Sequence, residues 1–172
     1  MMRAMTGVML LTASAFCVAS DAVPGIIPSG LGESVDRDVK TVRDATAAFR
    51  SADGARAAGY EQETECVEKP PEGGMGFHFT RRELRDGVLE VDKPEVLVYE
   101  KRADGSFQLN GVEYLVPIDA WKHDEPPSIM GQPMKRFDRA GIYYLHAWVW
   151  KPSSSGLFAD WNPDVKCKQP AQ

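Results

Sequence analysis

The chain has 172 residues, of which 43% are hydrophobic and 26% are charged, and its formal net charge is −5. This length suits a single domain with a true hydrophobic core. The acidic balance disfavours binding to nucleic acid, whose phosphates need clusters of Lys and Arg. After residue 20 no stretch is apolar enough to span a bilayer, so we expect no membrane span in the mature protein.

Residues 1–20 have the three parts of an export signal. Arg3 supplies a positive charge, an apolar stretch covers residues 5–18, and small residues precede Asp21. The pattern predicts a cleavable secretory signal peptide, and therefore a periplasmic or extracellular protein. The alternative is a membrane anchor, but the apolar stretch is shorter than the ~20 residues that cross a bilayer.

Two of the three cysteines remain after this cleavage. Cys17 belongs to the signal peptide, whereas Cys66 and Cys167 belong to the mature chain. An even pair in an oxidising compartment predicts a disulfide bond between them. The alternative is a pair of thiolate metal ligands, although the chain has no C-x-x-C spacing.

The N-terminal part of the mature chain predicts one helix. Residues 21–33 are rich in Pro and Gly without a period and are interpreted as a flexible lead-in. From Ser34, the expected N-cap, apolar residues recur every three or four positions, as on one face of a helix. These residues are Val35, Val39, Val42, Ala45 and Phe49. We expect residues 34–172 to form a single domain.

After Cys66 the chain changes to short runs rich in Val, Tyr, Phe and Trp, which favour β-strands. The runs cover residues 75–80, 88–91, 95–101, 106–118 and 141–151. A turn sequence at 103–105 is typical of a hairpin. Strands that follow one helix predict an α+β fold, with the N-terminal helix packed on a mostly antiparallel twisted sheet or partial barrel. The polar segment 119–140 is interpreted as a long, lid-like loop.

The last of these runs carries a histidine among aromatic residues. Side chains alternate along a strand, so one face would hold Tyr144, His146, Trp148 and Trp150. Such a face is typical of a pocket wall, and Tyr144 and Trp148 are expected to contact a bound cofactor or ligand. The alternative is a hydrogen-bonded core histidine within an aromatic layer.

His78 and Glu113 lie in two other runs. His78 follows the glycine-rich residues 73–76, which allow a close approach of the backbone. Glu113 is expected to share a face with Leu109 and Leu115. A buried carboxylate must be paired, metal-bound or neutralised, and a structural arginine would satisfy Glu113 as well as a metal would.

Two histidines and a carboxylate are the ligand set of many zinc, iron and manganese sites. We therefore predict a shared metal site of His78, Glu113 and His146, with Glu95 as a further candidate. Copper is another candidate metal, because thioether ligands are available at Met75, Met130 and Met134. His123 lies in a polar stretch and is expected on the surface.

Five short motifs lie between residues 74 and 167. They are GMGFH at 74–78, PEVLVY at 94–99, GVEYLVP at 111–117, LHAW at 145–148 and NPDVKC at 162–167. In these motifs the chain resembles a group of small exported bacterial proteins of unknown function. The resemblance covers most of residues 55–167. It implies a single domain and no particular activity.

These features favour an exported binding module that holds a metal ion or small ligand at a His, Glu and aromatic site. Common catalytic signatures such as G-x-S-x-G, H-E-x-x-H and a P-loop are missing from the sequence. Two alternatives stay open. One is a metal-assisted enzyme in which Glu113 or Glu95 is the general base. The other is a structural or interaction protein without a site, in which the histidines only pack.

Overall fold

The computed structural model of the chain describes residues 29–167. The predicted signal peptide, Cys17 and most of the predicted lead-in lie outside these residues. Among the helices of residues 29–167, none combines the length and the apolar composition that crossing a bilayer requires.

Two short helices cover one face of a β-sheet. α1 (Glu33–Thr46) continues into a 3-10 turn (Ala47–Phe49) and is followed by α2 (Ala52–Ala57). The apolar face predicted for α1 is confirmed by the buried side chains Val35, Val39 and Val42. The expected N-cap is wrong by two positions: Gly32, with a φ of 104°, occupies it instead of Ser34, and no side chain caps the first turn.

One seven-stranded sheet and a separate two-stranded ribbon form within the described residues. The large sheet consists of β1 (Glu61–Gln62), β2 (Val67–Lys69), β3 (Gly73–Thr80), β4 (Val96–Lys101), β5 (Phe107–Pro117), β8 (Lys135–Phe137) and β9 (Ile142–Ala147). The ribbon consists of β6 (Ser128–Ile129) and β7 (Gln132–Pro133).

The strand order of the large sheet is β1-β3-β4-β5-β9-β8, with β2 also paired to β3. Every pairing in it is antiparallel, and the sheet does not close into a barrel. The predicted α+β fold, with an N-terminal helix on a mostly antiparallel sheet, is therefore confirmed. Several details differ. Residues 88–91 form no strand, β1 and β2 were not predicted, the last strand ends at Ala147, and segment 119–140 contains three short strands.

The main hydrophobic core lies between the helices and the face of the sheet that they cover. Its fully buried members include Val42, Ala55, Phe79, Leu97, Leu109 and Val112. Three buried tyrosines bring hydroxyl groups into this core, and each hydroxyl donates to a backbone carbonyl oxygen at 2.6 or 2.7 Å. These tyrosines are Tyr60, Tyr99 and Tyr114. Their polar atoms are therefore satisfied, as is usual in a structural core.

A β-bulge in β5 puts Leu109 and Glu113 on opposite faces of the sheet. Two successive residues of β4 pair with Gly111 and Leu109, which leaves Asn110 as an extra residue in β5. Leu109 therefore packs in the main core, whereas Glu113 and Leu115 face a cavity on the other side of the sheet. The expectation that Glu113 and Leu109 share a face is wrong, because the bulge resets the alternation of side chains.

The alternation predicted along β9 stops where the strand ends, at Ala147. His146 belongs to the face away from the helices, but Trp150 packs against the main core. The indole N–H of Trp150 donates to Oγ1 of Thr46 in α1 at 3.0 Å. The expected common face of His146 and Trp150 is therefore wrong, since the backbone leaves the strand between them.

The C-terminal segment packs on the face of the sheet away from the helices. Its approach requires glycine, since a Cβ at Gly73 would lie 2.2 Å from the carbonyl oxygen of Asn162. Asn162 also forms a backbone bridge with Gly74. Cys66, just before β2, is bonded to Cys167, which confirms the predicted disulfide.

Candidate metal centre

The three predicted metal ligands come from three strands and meet on the face of the sheet away from the helices. His78 lies on β3, Glu113 on β5 and His146 on β9. Glu113 and His146 are direct cross-strand partners, whereas His78 reaches toward Glu113 across β4. The regular pairing of β3, β4, β5 and β9 on one side of the β5 bulge puts the carboxyl group and the two imidazoles on the same face.

The ligand atoms of this group surround a common point. His78 Nε2 lies 3.7 Å from Glu113 Oε2, and His146 Nδ1 lies 4.0 Å from Glu113 Oε1. One ligand atom from each residue lies within 4.8 Å of the other two. Two ligands bound to one ion at about 2.1 Å lie roughly 3.4 Å apart in tetrahedral geometry. Side-chain shifts of up to about 1 Å would therefore bring all three onto one ion.

His146 is the most unusual member of the group. It is only 1% exposed, and neither of its ring nitrogens has a hydrogen-bond partner among the described residues. The ring of Trp148 stacks on it with an interplanar angle of 8°. A buried imidazole normally donates one hydrogen bond and accepts another, so a core role leaves both nitrogens unexplained. A metal ligand would use one of them.

Thr64 holds His78 in the orientation that a ligand needs. Thr64 Oγ1 lies 3.0 Å from His78 Nδ1 and also accepts the backbone N–H of His78 at 3.1 Å. This contact occupies Nδ1 and leaves Nε2 facing Glu113. Proteins usually fix the tautomer and ring angle of a ligating histidine by a hydrogen bond to the ring nitrogen that does not bind the metal.

All three residues are held in their uncharged forms at neutral pH. Burial, with a smaller contribution from the nearby carboxylate of Asp160, raises the pKa of Glu113 to about 8. Burial also lowers the pKa of His78 to about 4 and that of His146 well below its ordinary value. The contacts between Glu113 and the histidines are therefore not ion pairs. A bound cation would supply the charge that stabilises ionised Glu113.

A cavity of about 670 Å³ opens above the group. His78 and Glu113 form part of its floor, and the surface of its lining is mostly apolar. Its apolar walls come from Val67, Met75, Val96, Leu115, Phe137, Ala140, Ile142 and Trp161. Its polar walls come from Glu63, Thr64, Thr80, Arg85, Tyr144 and Asp160. Such a volume suits a small organic ligand.

The two aromatic residues expected to contact a ligand lie in different places. Tyr144 lines the cavity, and its hydroxyl donates to Asp160 Oδ2 at 3.3 Å. Trp148 is 3% exposed, lies outside the cavity lining and donates its indole N–H to the carbonyl oxygen of Ala159 at 2.7 Å. The ring of Trp148 stacks on His146, so Trp148 contacts a predicted metal ligand and not the cavity.

Glu95 and His123 lie outside the group. Glu95 is buried, and its Oε2 accepts the backbone N–H of Leu115 at 3.0 Å. His123 is exposed, as expected, and packs beside Trp121 with ring centroids 4.5 Å apart.

The three methionines expected as copper ligands do not gather at the site. Met75 lines the cavity, whereas Met130 and Met134 belong to the main core.

Several cavity residues carry no signal in the sequence. Glu63, Thr64 and Arg85 lie in loops, and Asp160 and Trp161 lie in the C-terminal segment. They reach the cavity only because β3 and the disulfide bring these segments together. The motif NPDVKC, just after Trp161, is the one pattern that marked this region.

The chain matches no family model, no curated protein and no solved structure. The resemblance to small exported bacterial proteins therefore stays a prediction, and the function proposed below rests on the geometry of the site.

Proposed function

We propose that the protein is an exported metal-binding module that holds one divalent transition-metal ion between His78, Glu113 and His146. The observation that carries this proposal is the buried imidazole of His146, which has no hydrogen-bond partner among residues 29–167 and lies beside a buried carboxyl group. Metal binding would give both groups a partner. A purely structural role would leave them without one.

The ligand types narrow the choice of metal. Imidazole nitrogen suits zinc, iron, copper and nickel, and the combination of two imidazoles with one carboxylate is common for zinc and non-haem iron. Three protein ligands leave at least one coordination position open. Because the cavity adjoins His78 and Glu113, that position would face the cavity and accept water or an organic ligand.

Export is supported by the disulfide and by the predicted signal peptide. A disulfide such as Cys66–Cys167 persists in oxidising compartments and is rare in the cytosol. In the periplasm or outside the cell, a buried site of this kind would bind metal without the thiolate ligands that oxidation would destroy.

Metal analysis tests the proposal. The protein should be produced from the full 172-residue sequence, without a histidine tag or chelators, and titrated with zinc. We expect one ion per chain in the unchanged protein, and affinity lower by about 100-fold or more in His78→Ala and His146→Ala. His123→Ala is the matched control, because this exposed histidine lies outside the group, and it should bind zinc normally.

Two results would contradict the proposal. One is a lack of binding after incubation with zinc, iron(II), manganese and copper. The other is unchanged affinity in both alanine variants. A change in stability alone, with no change in metal content, would favour the structural interpretation. Circular dichroism of each variant shows whether a loss of metal reflects a loss of fold.

Metal-assisted catalysis is a second candidate, favoured by a carboxylate that lines the cavity without belonging to the group. Asp160 acts electrostatically on Glu113 and hydrogen bonds to Tyr144. In this function Asp160, rather than the predicted Glu113 or Glu95, would be the base that takes a proton from metal-bound water. Asp160→Asn would then keep its metal but lose turnover in a hydrolase screen.

A further inference from the structure

We infer that the cavity above the metal group binds a small monoanionic organic acid, whose carboxylate coordinates the ion and whose apolar body fills the cavity. The inference rests on the proposed metal site and names the class of ligand that the site would take. It follows from two observations: the balance of charges around the group, and the apolar walls.

The charged side chains that line the cavity are paired, so their charges cancel except at the ion. Glu63 is paired with Arg85, and its other oxygen lies 3.5 Å from Arg82, whose side chain is 74% exposed and lies outside the cavity lining. Asp160 is paired with Lys135 at 2.6 Å. A divalent ion held by two neutral imidazoles and one carboxylate leaves one positive charge to be neutralised. A ligand with one negative charge meets this requirement, whereas a dianion would bring an unpaired charge into a mostly apolar cavity.

The shape of the site indicates an apolar body. The ion would lie at the floor of the cavity, beneath side chains such as Met75, Leu115 and Trp161. Acetate would coordinate the ion but leave most of the roughly 670 Å³ unfilled. An aromatic or aliphatic acid would also remove these side chains from water, which is the main source of affinity in sites of this kind.

Four probes test separately whether the single negative charge and the apolar body of the ligand are required. 3-Phenylpropanoate has one charge and an apolar body, and acetate has the charge alone. 3-Phenylpropan-1-ol has the body alone, and phenylsuccinate has the body with a second charge. Their binding to zinc-loaded and zinc-free protein should be measured by calorimetry. Zinc uptake should be measured first and separately.

We expect 3-phenylpropanoate to bind the zinc-loaded protein at least about tenfold more tightly than each of the other three probes. It should bind the zinc-free protein at least about tenfold more weakly than the loaded form. Trp161→Ala and Met75→Ala should reduce its advantage over acetate while leaving zinc uptake unchanged. Trp121→Ala is the matched control, because this tryptophan lies outside the cavity lining.

The possible failures are distinct. If zinc does not bind, both the proposed function and this inference are overturned. If zinc binds but acetate binds as tightly as 3-phenylpropanoate, the apolar part is wrong and the inference fails alone. Equal binding of the alcohol or of phenylsuccinate would likewise overturn the assignment of a monoanion. Retention of the full advantage by both cavity variants would place the ligand elsewhere.

Discussion

The two faces of the sheet differ in whether their buried polar atoms have hydrogen-bond partners. On the face that packs against the helices, the hydroxyls of Tyr60, Tyr99 and Tyr114 each donate to a backbone oxygen. On the cavity face, both ring nitrogens of His146 lack a partner within the described part of the chain. Unpaired buried atoms cost stability, and within residues 29–167 they belong to His146, to Nε of Arg85 in the cavity lining and to the side-chain amide of Asn110 at the β5 bulge. Apart from that amide they lie beside the candidate metal group or the cavity, which favours a functional role for this face.

Two adjacent residues of β9 give the strongest test of this difference between the two faces. Leu145 is 2% exposed and packs in the main core, whereas His146 faces the metal group. We expect Leu145→Ala to lower the free energy of unfolding by about 2 to 5 kcal/mol and to leave zinc affinity unchanged. His146→Ala should lower zinc affinity by about 100-fold or more, with a smaller loss of stability in the zinc-free protein. Urea unfolding and zinc titration measure both quantities, and equal effects of the two changes on zinc affinity would refute the division into faces.

The disulfide should contribute to the stability of the protein but have little effect on zinc binding. It joins residues separated by 101 positions, and both connected segments form cavity walls. Changing both Cys66 and Cys167 to Ser should lower the free energy of unfolding by up to about 4 to 5 kcal/mol on the chain-entropy account. Zinc should still bind to the folded variant, because its three ligands lie on strands. Chemical unfolding with and without zinc checks this, and a folded variant that takes up no zinc would contradict it.

Glu95 provides a buried carboxyl group without a neighbouring histidine. Burial raises its pKa to about 8, so in the folded state it stays protonated at pH values where the unfolded chain has already ionised. Its contribution to stability is therefore present below about pH 4.5 and is lost as the pH rises to about 8. Glu95→Gln should gain stability relative to the unchanged zinc-free protein by roughly 3 to 4 kcal/mol between pH 5 and pH 8.

The check is urea unfolding of both zinc-free proteins across this range of pH. Glu95→Gln should also leave zinc affinity unchanged, since Glu95 is outside the group. If the difference in the free energy of unfolding between the two proteins is the same at every pH, a pKa of about 8 for Glu95 is contradicted.

Thr64 tests whether the orientation of His78 matters. Thr64→Val removes the oxygen that contacts Nδ1 of His78 and should weaken zinc binding by about 10-fold to 100-fold. Thr64→Ser keeps that oxygen and should restore most of the affinity. Competition with a zinc-binding dye measures the difference. If the Val and Ser variants bind zinc equally, the hydrogen bond does not position the ligand.

The smallest expected effect is a release of protons. Because the pKa of Glu113 is about 8, zinc binding at pH 7 should displace close to one proton per chain. Zinc affinity should therefore rise with pH until Glu113 is ionised before binding. Calorimetry in two buffers with different ionisation enthalpies counts these protons. A value near zero would mean that Glu113 is already ionised or is not a ligand.

The sequence predicted the three residues of the candidate metal group better than it predicted their surroundings. His78, Glu113 and His146 were predicted because each is a polar residue inside an apolar run, and residues of this kind need a partner. The face of Glu113 relative to Leu109 was predicted wrongly, because the bulge at Asn110 was not foreseen. Gly111, an isolated glycine inside a strand-like run, was the one signal for it. The fold class was also readable, because one helical period is followed by several strand-like runs.

The cavity walls could not be predicted. Thr64 and Asp160 are separated by most of the domain and come together through the packing of Asn162 on Gly74 and the disulfide. Such contacts depend on tertiary structure, which local sequence patterns do not determine.

X-ray absorption at the zinc edge tests the central claim most directly, because it reports the ligands of the bound ion. For protein loaded with one zinc ion per chain, we predict nitrogen and oxygen neighbours at about 2.0 to 2.1 Å with the scattering pattern of two imidazoles. His146→Ala, if loaded at high zinc concentration, should show one imidazole. A sulfur neighbour at about 2.3 Å, or two imidazoles retained in His146→Ala, would contradict the proposed centre.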